Sequence, residues 1–153
     1  MIIVNKTART LRFAQDGVTL FECPVMLGEN PEGHKLREGD GRTPEGTYRV
    51  CTVNRNSKFH ISLGISYPNR LDAKAAYRDK RIGLYDLCMI TLADIMHLRP
   101  KWTSPLGGFI MLHGESPEGK TGDWTKGCIA VSNESIEQLA SLVKPGERVV
   151  IEP

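Results

Sequence analysis

Short apolar runs broken by polar turns fill the first third of the chain and predict a β-meander. Ile2-Ile3-Val4 and Thr10-Leu11-Arg12-Phe13 read as strands joined by a polar turn, Asp16-Gly17 as a hairpin turn, and Val18 to Leu27 as the next strand. Between Gly28 and Gly46 there is no apolar period, and five further glycine or proline residues predict a long ordered loop of a functional kind. Thr47 to Val53 alternates in the β manner, and Ile61 to Ile65 continues it. From Leu71 to Arg99 the pattern turns helical: Asp72 to Arg78 holds good helix formers, and Thr91 to Leu98 starts on a capping residue and stops before Pro100. Gly108 to Leu112 and Cys128 to Val131 read as buried strands. Ser132 or Asn133 can cap a helix whose Ile136, Leu139, Ala140 and Val143 fall at i, i+3, i+4 and i+7. Pro145-Gly146 ends that helix, and Arg148 to Ile151 returns as a strand. Strands therefore predominate, with two or three helices packed outside them.

At 153 residues, with no repeat, linker or low-complexity tract, the chain is expected to be one domain, residues 1–153, with a core large enough to need no staples. A formal net charge of +2 gives no reason to expect nucleic acid as a partner, and a monomer is expected. No run approaches the ~20 apolar residues of a membrane span. Met1 to Asn5 turns polar too soon for a secretory signal, which leaves a trimmed extracytoplasmic domain, a cytosolic chain or export by another route. Cys23, Cys51 and Cys88 lie among apolar neighbours and are expected to be buried thiols, although the sequence leaves a disulfide open. Without Cys-x-x-Cys or ligand-like histidine spacing, neither a metal nor an organic cofactor is expected.

The chemistry concentrates near the C-terminus. His113-Gly114 closes one apolar strand, and Thr125-Lys126-Gly127-Cys128-Ile129 opens another after the loop from Glu115 to Lys126. If the two strands lie together, an imidazole meets a thiol, the minimum equipment for covalent acyl transfer: the base withdraws the thiol proton and the imidazolium later protonates the leaving amine. Gly127 lets backbone come close to a ligand, and N–H groups at or near Gly127 and Cys128 are the expected oxyanion donors. Around this pair, Trp124 either walls the site or covers core, and Tyr67 either lines a substrate cleft or packs a turn. Asp123 or Glu115 could orient His113, although each reads better as a solvated loop charge. Arg42 and Lys126 could meet substrate carboxylates, His60 and His97 are expected to be structural or exposed, and His34 to be solvated.

The spacing His, about fourteen residues, Ser/Thr-x-Gly-Cys-apolar resembles the signature of the L,D-transpeptidase catalytic domain, or YkuD, family. Gly39-Asp40-Gly41-Arg42-Thr43-Pro44-Glu45-Gly46-Thr47-Tyr48 is similar to the loop that enters a central strand in that family. Ser66-Tyr67-Pro68-Asn69 with Asp72 resembles a segment of one of its branches. The resemblance implies a mainly β fold with a few helices (α+β), mixed sandwich or barrel-like, and an extracytoplasmic, periplasmic or cell-envelope place of action. It also implies a cysteine acyltransferase on peptidoglycan stem peptides, with Cys128 as nucleophile, His113 as base oriented by a backbone carbonyl, and a second amine as acceptor. Thr125, Gly127, Gly114, Tyr67 and Trp124 are the further candidate site residues. Water in place of the amine would make it an L,D-carboxypeptidase or amidase, and a non-catalytic wall-binding module is the alternative from another class. One departure stands out: many members carry arginine two places after the cysteine, where this chain has Ala130.

Overall fold

A computed structural model describes residues 1–153, all of the chain. Eight strands form one sheet: β1 (Ile2–Asn5), β2 (Thr10–Gln15), β3 (Val18–Pro24), β4 (Gly46–Ser57), β5 (His60–Ile65), β6 (Met111–His113), β7 (Ile129–Ala130) and β8 (Arg148–Glu152). Their spatial order is β3-β2-β1-β8-β4-β5-β6-β7, and the sheet curls into a half-barrel. All neighbours run antiparallel except β1 with β8 and β6 with β7. The Asp16-Gly17 turn is where the sequence puts it, with both residues at positive φ, as a two-residue hairpin of that hand requires.

Alternation along the strands sorts the side chains. Ile2, Val4, Leu11, Phe13, Tyr48, Val50, Ile61, Leu63, Ile65, Leu112, Ile129, Val149 and Ile151 share one buried cluster inside the curl. Helix α3 (Asn133–Leu142) closes it with Ile136, Leu139 and Ala140, and its N-cap is Ser132, whose hydroxyl accepts from the Ser135 N–H. Residues of the opposite parity, among them Ser62, Gly64, Met111 and His113, face the other way, and that outer face carries the candidate site.

Two more helices, α1 (Arg70–Arg78) and α2 (Leu84–Ile95), form a hairpin with a small core of their own: Ala73, Ala76, Ile82, Ile90 and Leu106. Asn69 caps α1 through a full capping box with Asp72. Helix α2 begins seven residues before the expected Thr91, and its N-cap, Gly83, offers no side-chain bond. It is apolar on nearly every side, with Leu84, Tyr85, Leu92 and Ile95 all exposed, so no stripe marks its length. The same feature corrects the reading of the cysteines. All four are free thiols, Cys23 is buried and Cys51 half-buried, but Cys88 is exposed on the outer side of α2. No helix is long and apolar enough to cross a membrane.

The strand expected over Gly108 to Leu112 is displaced to Met111–His113. Gly108 lies against Trp102, where a Cβ would come within 2.4 Å of the Trp102 Cα, and Phe109 turns to a φ of 54°. Those two residues leave the sheet direction, and pairing with β5 begins at the Ile110 carbonyl, which accepts from the Ile65 N–H at 3.0 Å.

Candidate active site

Strands β6 and β7 pair in parallel, Leu112 with Ile129 and His113 with Ala130. Cys128 lies two residues before Ala130, so alternation puts its Cβ on the outer face with that of His113. One strand over and two residues along corresponds to roughly 8 Å between the Cα atoms, within reach of a thiol and an imidazole. The two strands that flank the loop thus do lie together, which is the condition the sequence reading set for an imidazole to meet the thiol.

The far side of β7 is not open. Residues 26–28 run along it: Met26 and Ala130 exchange both backbone hydrogen bonds at 2.8 Å, and Glu29 N–H donates to the Thr125 carbonyl at 2.9 Å. This strap draws the loop of residues 28–46 against the Gly-Cys turn. A Cβ at Gly127, whose φ is 124°, would sit 2.5 Å from the Arg42 carbonyl oxygen. Glycine is required there by both conformation and space. Asp40 braces the loop by accepting from the N–H groups of Leu36, Arg37 and Arg42 and from the Lys35 ammonium. Burial opposes ionisation of Asp40, but those donors outweigh it and hold its carboxyl below the usual range.

His113 is buried, and its Nδ1 lies 2.7 Å from the Gly114 carbonyl oxygen. A carbonyl can only accept, so Nδ1 carries the proton and the neutral ring presents Nε2 as a base. Phe59 stacks on the imidazole, 4.4 Å between centroids, and Trp124 stands edge-on at 5.6 Å. Burial is the main reason the His113 pKa falls below its ordinary value; the Gly114 carbonyl opposes the fall and Lys58 adds to it. Phe59 was not singled out by sequence; it sits at the turn between β4 and β5.

The half-buried Cys128 makes no hydrogen bond to His113; its thiol donates instead to the Phe109 carbonyl, Sγ to O 3.4 Å. Burial pushes the thiol up, against the weaker lowering effects of the Met111 N–H, Lys35 and Lys58. Two neutral partners at rest, rather than a ready thiolate–imidazolium pair, follow from these opposite shifts.

Thr125 braces the turn. Its hydroxyl donates to the Cys128 carbonyl at 2.7 Å and accepts from the Gly127 N–H at 3.1 Å. Of the two expected oxyanion donors, the Gly127 N–H thus already has a partner, while the Cys128 N–H has none. Thr125→Val should leave the Gly127 N–H and the Cys128 carbonyl without these bonds and lower Tm by roughly 3–10 °C, with Thr125→Ser near wild type. A thermal melt of both variants checks this.

The other sequence candidates are placed as follows. Gly114 is held by space, since a Cβ would come within 2.4 Å of the Asn133 Oδ1. Tyr67 is fully buried with its hydroxyl 3.2 Å from the carbonyl oxygens of both Lys35 and Leu106, so of its two readings packing of the turn is the observed one. Trp124 stands against His113, which favours the wall over the core. Asp123 is half-buried, accepts from Arg9 and from the Leu27 N–H, and is not the partner of His113. Glu115 is exposed. Lys126 pairs with Glu29 at the surface, and Arg42 is half-buried with no partner for its Nε. His60 pairs with Glu137, and His34 lies between the Glu45 N–H and Asp72. Ala130 is fully buried beside His113, so nothing at that position supplies the charge many family members carry there.

Replacing Phe59 removes the stack and admits water to His113. Phe59→Ala is expected to raise the acid limb of the pH–rate profile for Cys128 acylation toward the ordinary imidazole value. It should also slow acylation at neutral pH roughly 10–100-fold, with Phe59→Tyr restoring both. A purely structural role would leave the position of the acid limb unmoved.

The family model described as the L,D-transpeptidase catalytic domain, YkuD, matches residues 1–151. No curated protein matches the chain significantly in sequence. Among solved structures, the helical cell shape determining protein Pgp2 from Campylobacter jejuni is similar at 26% identity and a TM-score of 0.69, over 99% of this chain and 46% of that one. Bd1075 from Bdellovibrio bacteriovorus is similar at 23% identity and a TM-score of 0.59, again over 99% and 46%. L,D-transpeptidase 1 of Mycobacterium tuberculosis shares the fold at 12% identity and a TM-score of 0.56, over 99% and 60%. The chain thus spans about half the length of the first two.

Proposed function

The chain belongs to the YkuD family of L,D-transpeptidase catalytic domains, and from that premise we propose that it is a cysteine acyltransferase acting on peptidoglycan stem peptides outside the cytoplasm. The observation that supports this reading best is the parallel pairing of β6 with β7, His113 opposite Ala130 two residues after Cys128, together with the Gly114 carbonyl at His113 Nδ1, which leaves Nε2 free. In the proposed first half-reaction the thiol turns from the Phe109 carbonyl toward His113. Sγ attacks the carbonyl carbon of the L,D bond as its proton passes to Nε2. The Cys128 N–H stabilises the oxyanion, the C–N bond breaks, and His113 gives the proton to the departing amine of the terminal D-residue. A thioester remains on Cys128. In the second half-reaction an acceptor amine attacks that thioester, His113 takes its proton, and the thiol is regenerated.

A second reading, hydrolysis of the same thioester as an L,D-carboxypeptidase, stays open because Ala130 stands where many family members carry arginine two places after the cysteine, which bears on the acceptor and on the balance between transfer and hydrolysis. Mass spectrometry of isolated muropeptides after incubation with the protein separates the two. A cross-linked dimer supports transfer, loss of the terminal residue alone supports hydrolysis, and unchanged masses would remove both.

A further inference from the structure

Strands β4 and β8 place Arg49 directly opposite Arg148, a cross-strand like-charge pair that costs stability unless something negative lies between them. Neither guanidinium has an ion-pair or hydrogen-bond partner in the molecule. Both line a cavity of about 440 Å³ on the outer side of the sheet, beneath the α1–α2 hairpin. Arg70 and His97 line it too, and the one carboxylate present, Asp94, takes only the Arg70 Nε, at 3.5 Å. Three guanidiniums against one carboxylate leave the cavity with a surplus of two positive charges, and planar guanidiniums suit the two oxygens of a carboxylate or phosphate.

The cavity lies on the same face of the sheet as the candidate nucleophile. Tyr48, Val50 and Val149 point into the core, so Arg49 and Arg148 point outward, as His113 does. Arg49 is two strands from β6 and about four residues along from the level of His113, a separation of roughly 15 Å. An extended peptide covers that in four to five residues. We propose that Arg49, Arg148 and Arg70 form an oxyanion-binding subsite, remote from the reacting atoms, that holds a carboxylate or phosphate group of an anionic ligand. Resting on the function proposed above, that ligand is the wall strand being processed.

The test uses the full chain as Cys128→Ala, with two probes: inorganic phosphate and an isolated disaccharide-tetrapeptide. The reporter is the imidazole NMR signal of His97, assigned through its loss in His97→Gln. Saturable movement of that signal is expected with at least one probe, and Arg49→Gln combined with Arg148→Gln should weaken it at least about 10-fold. In the presence of Cys128, the same pair of changes should leave the rate of thiol alkylation by iodoacetamide unaltered. Weakening of muropeptide binding identifies the wall carboxylates as the source; weakening of phosphate binding alone identifies a phosphate ligand. If neither probe moves His97, or the arginine changes affect neither, the subsite does not exist. Absence of all reaction with muropeptides would sink the proposed function, while the phosphate arm would still report on the cavity. Should the double variant not fold, the exposed Arg70→Gln carries the same comparison.

Discussion

Cys128→Ala is expected to reduce muropeptide turnover to the uncatalysed level and to leave the fold intact. The thiol's only hydrogen bond runs to the Phe109 carbonyl, and the turn that holds it is braced by Thr125 and Gly127, neither of which needs the sulfur. A smaller side chain at a half-buried turn should shift Tm by only a few degrees. The other cysteines are poor substitutes: burial raises Cys23 and pushes Cys51 up to about 11, so neither supplies thiolate at neutral pH. Exposed Cys88 will take up an alkylating label, and it serves as the internal control. Intact-mass analysis with an activated acyl substrate should show one adduct on wild type and none on the variant. Residual turnover with an acyl group on Cys23 or Cys51 would move the nucleophile elsewhere.

For His113→Gln the expected loss in acylation rate at neutral pH is on the order of 10²–10⁴. The larger signature is the pH dependence. In wild type the thiol proton goes to a histidine whose pKa is lowered by burial, so the rate should reach half its plateau below the ordinary imidazole value of about 6.5 and stay flat through neutrality. The variant must wait for free thiolate from a thiol that burial holds above its ordinary value. Its rate should climb about tenfold per pH unit across neutrality and approach wild type only in strong alkali. Because the two groups interact, the fitted values belong to the pair. A pH series of Cys128 acylation in both proteins decides the matter; overlaying curves would make His113 structural and turn attention to His60.

The strands of the meander, the Asp16-Gly17 hairpin and helix α3 were legible because each is decided locally, by alternation, by positive φ in a two-residue turn, or by a capped apolar stripe. The apolar runs on either side of the loop from Glu115 to Lys126 were legible as strands, but their parallel pairing was only a condition until the register of β6 with β7 supplied it. Other features depended on contacts remote in sequence. Helix α2 has no capping side chain and no single apolar face, so its first two turns carried no signal. Strand β6 begins late because Trp102 occupies the space beside Gly108. The role of Phe59 depends on the fold bringing a β-hairpin tip over His113, and the pairing of the Gly127 N–H on a hydroxyl two residues away. The Arg49–Arg148 pair needed the register of β4 against β8, which no reading of one strand at a time supplies.

The backbone strap of residues 26–28 bears on how an extended stem peptide can be gripped. Many proteins capture such chains by β-augmentation, letting the guest complete an open sheet edge. Here the edge beside the nucleophile is already taken, by Met26 against Ala130 and by the Leu27 and Glu29 backbone against Thr125. The sheet's other edge, β3, runs on through Val25 into this same strap, Met26 following Pro24 by two residues. If the proposed function holds, a donor peptide lies across the sheet rather than extending it, and its selectivity comes from side chains and turn amides. Peptidomimetics that rely on strand-like main-chain pairing should gain little affinity at this nucleophile.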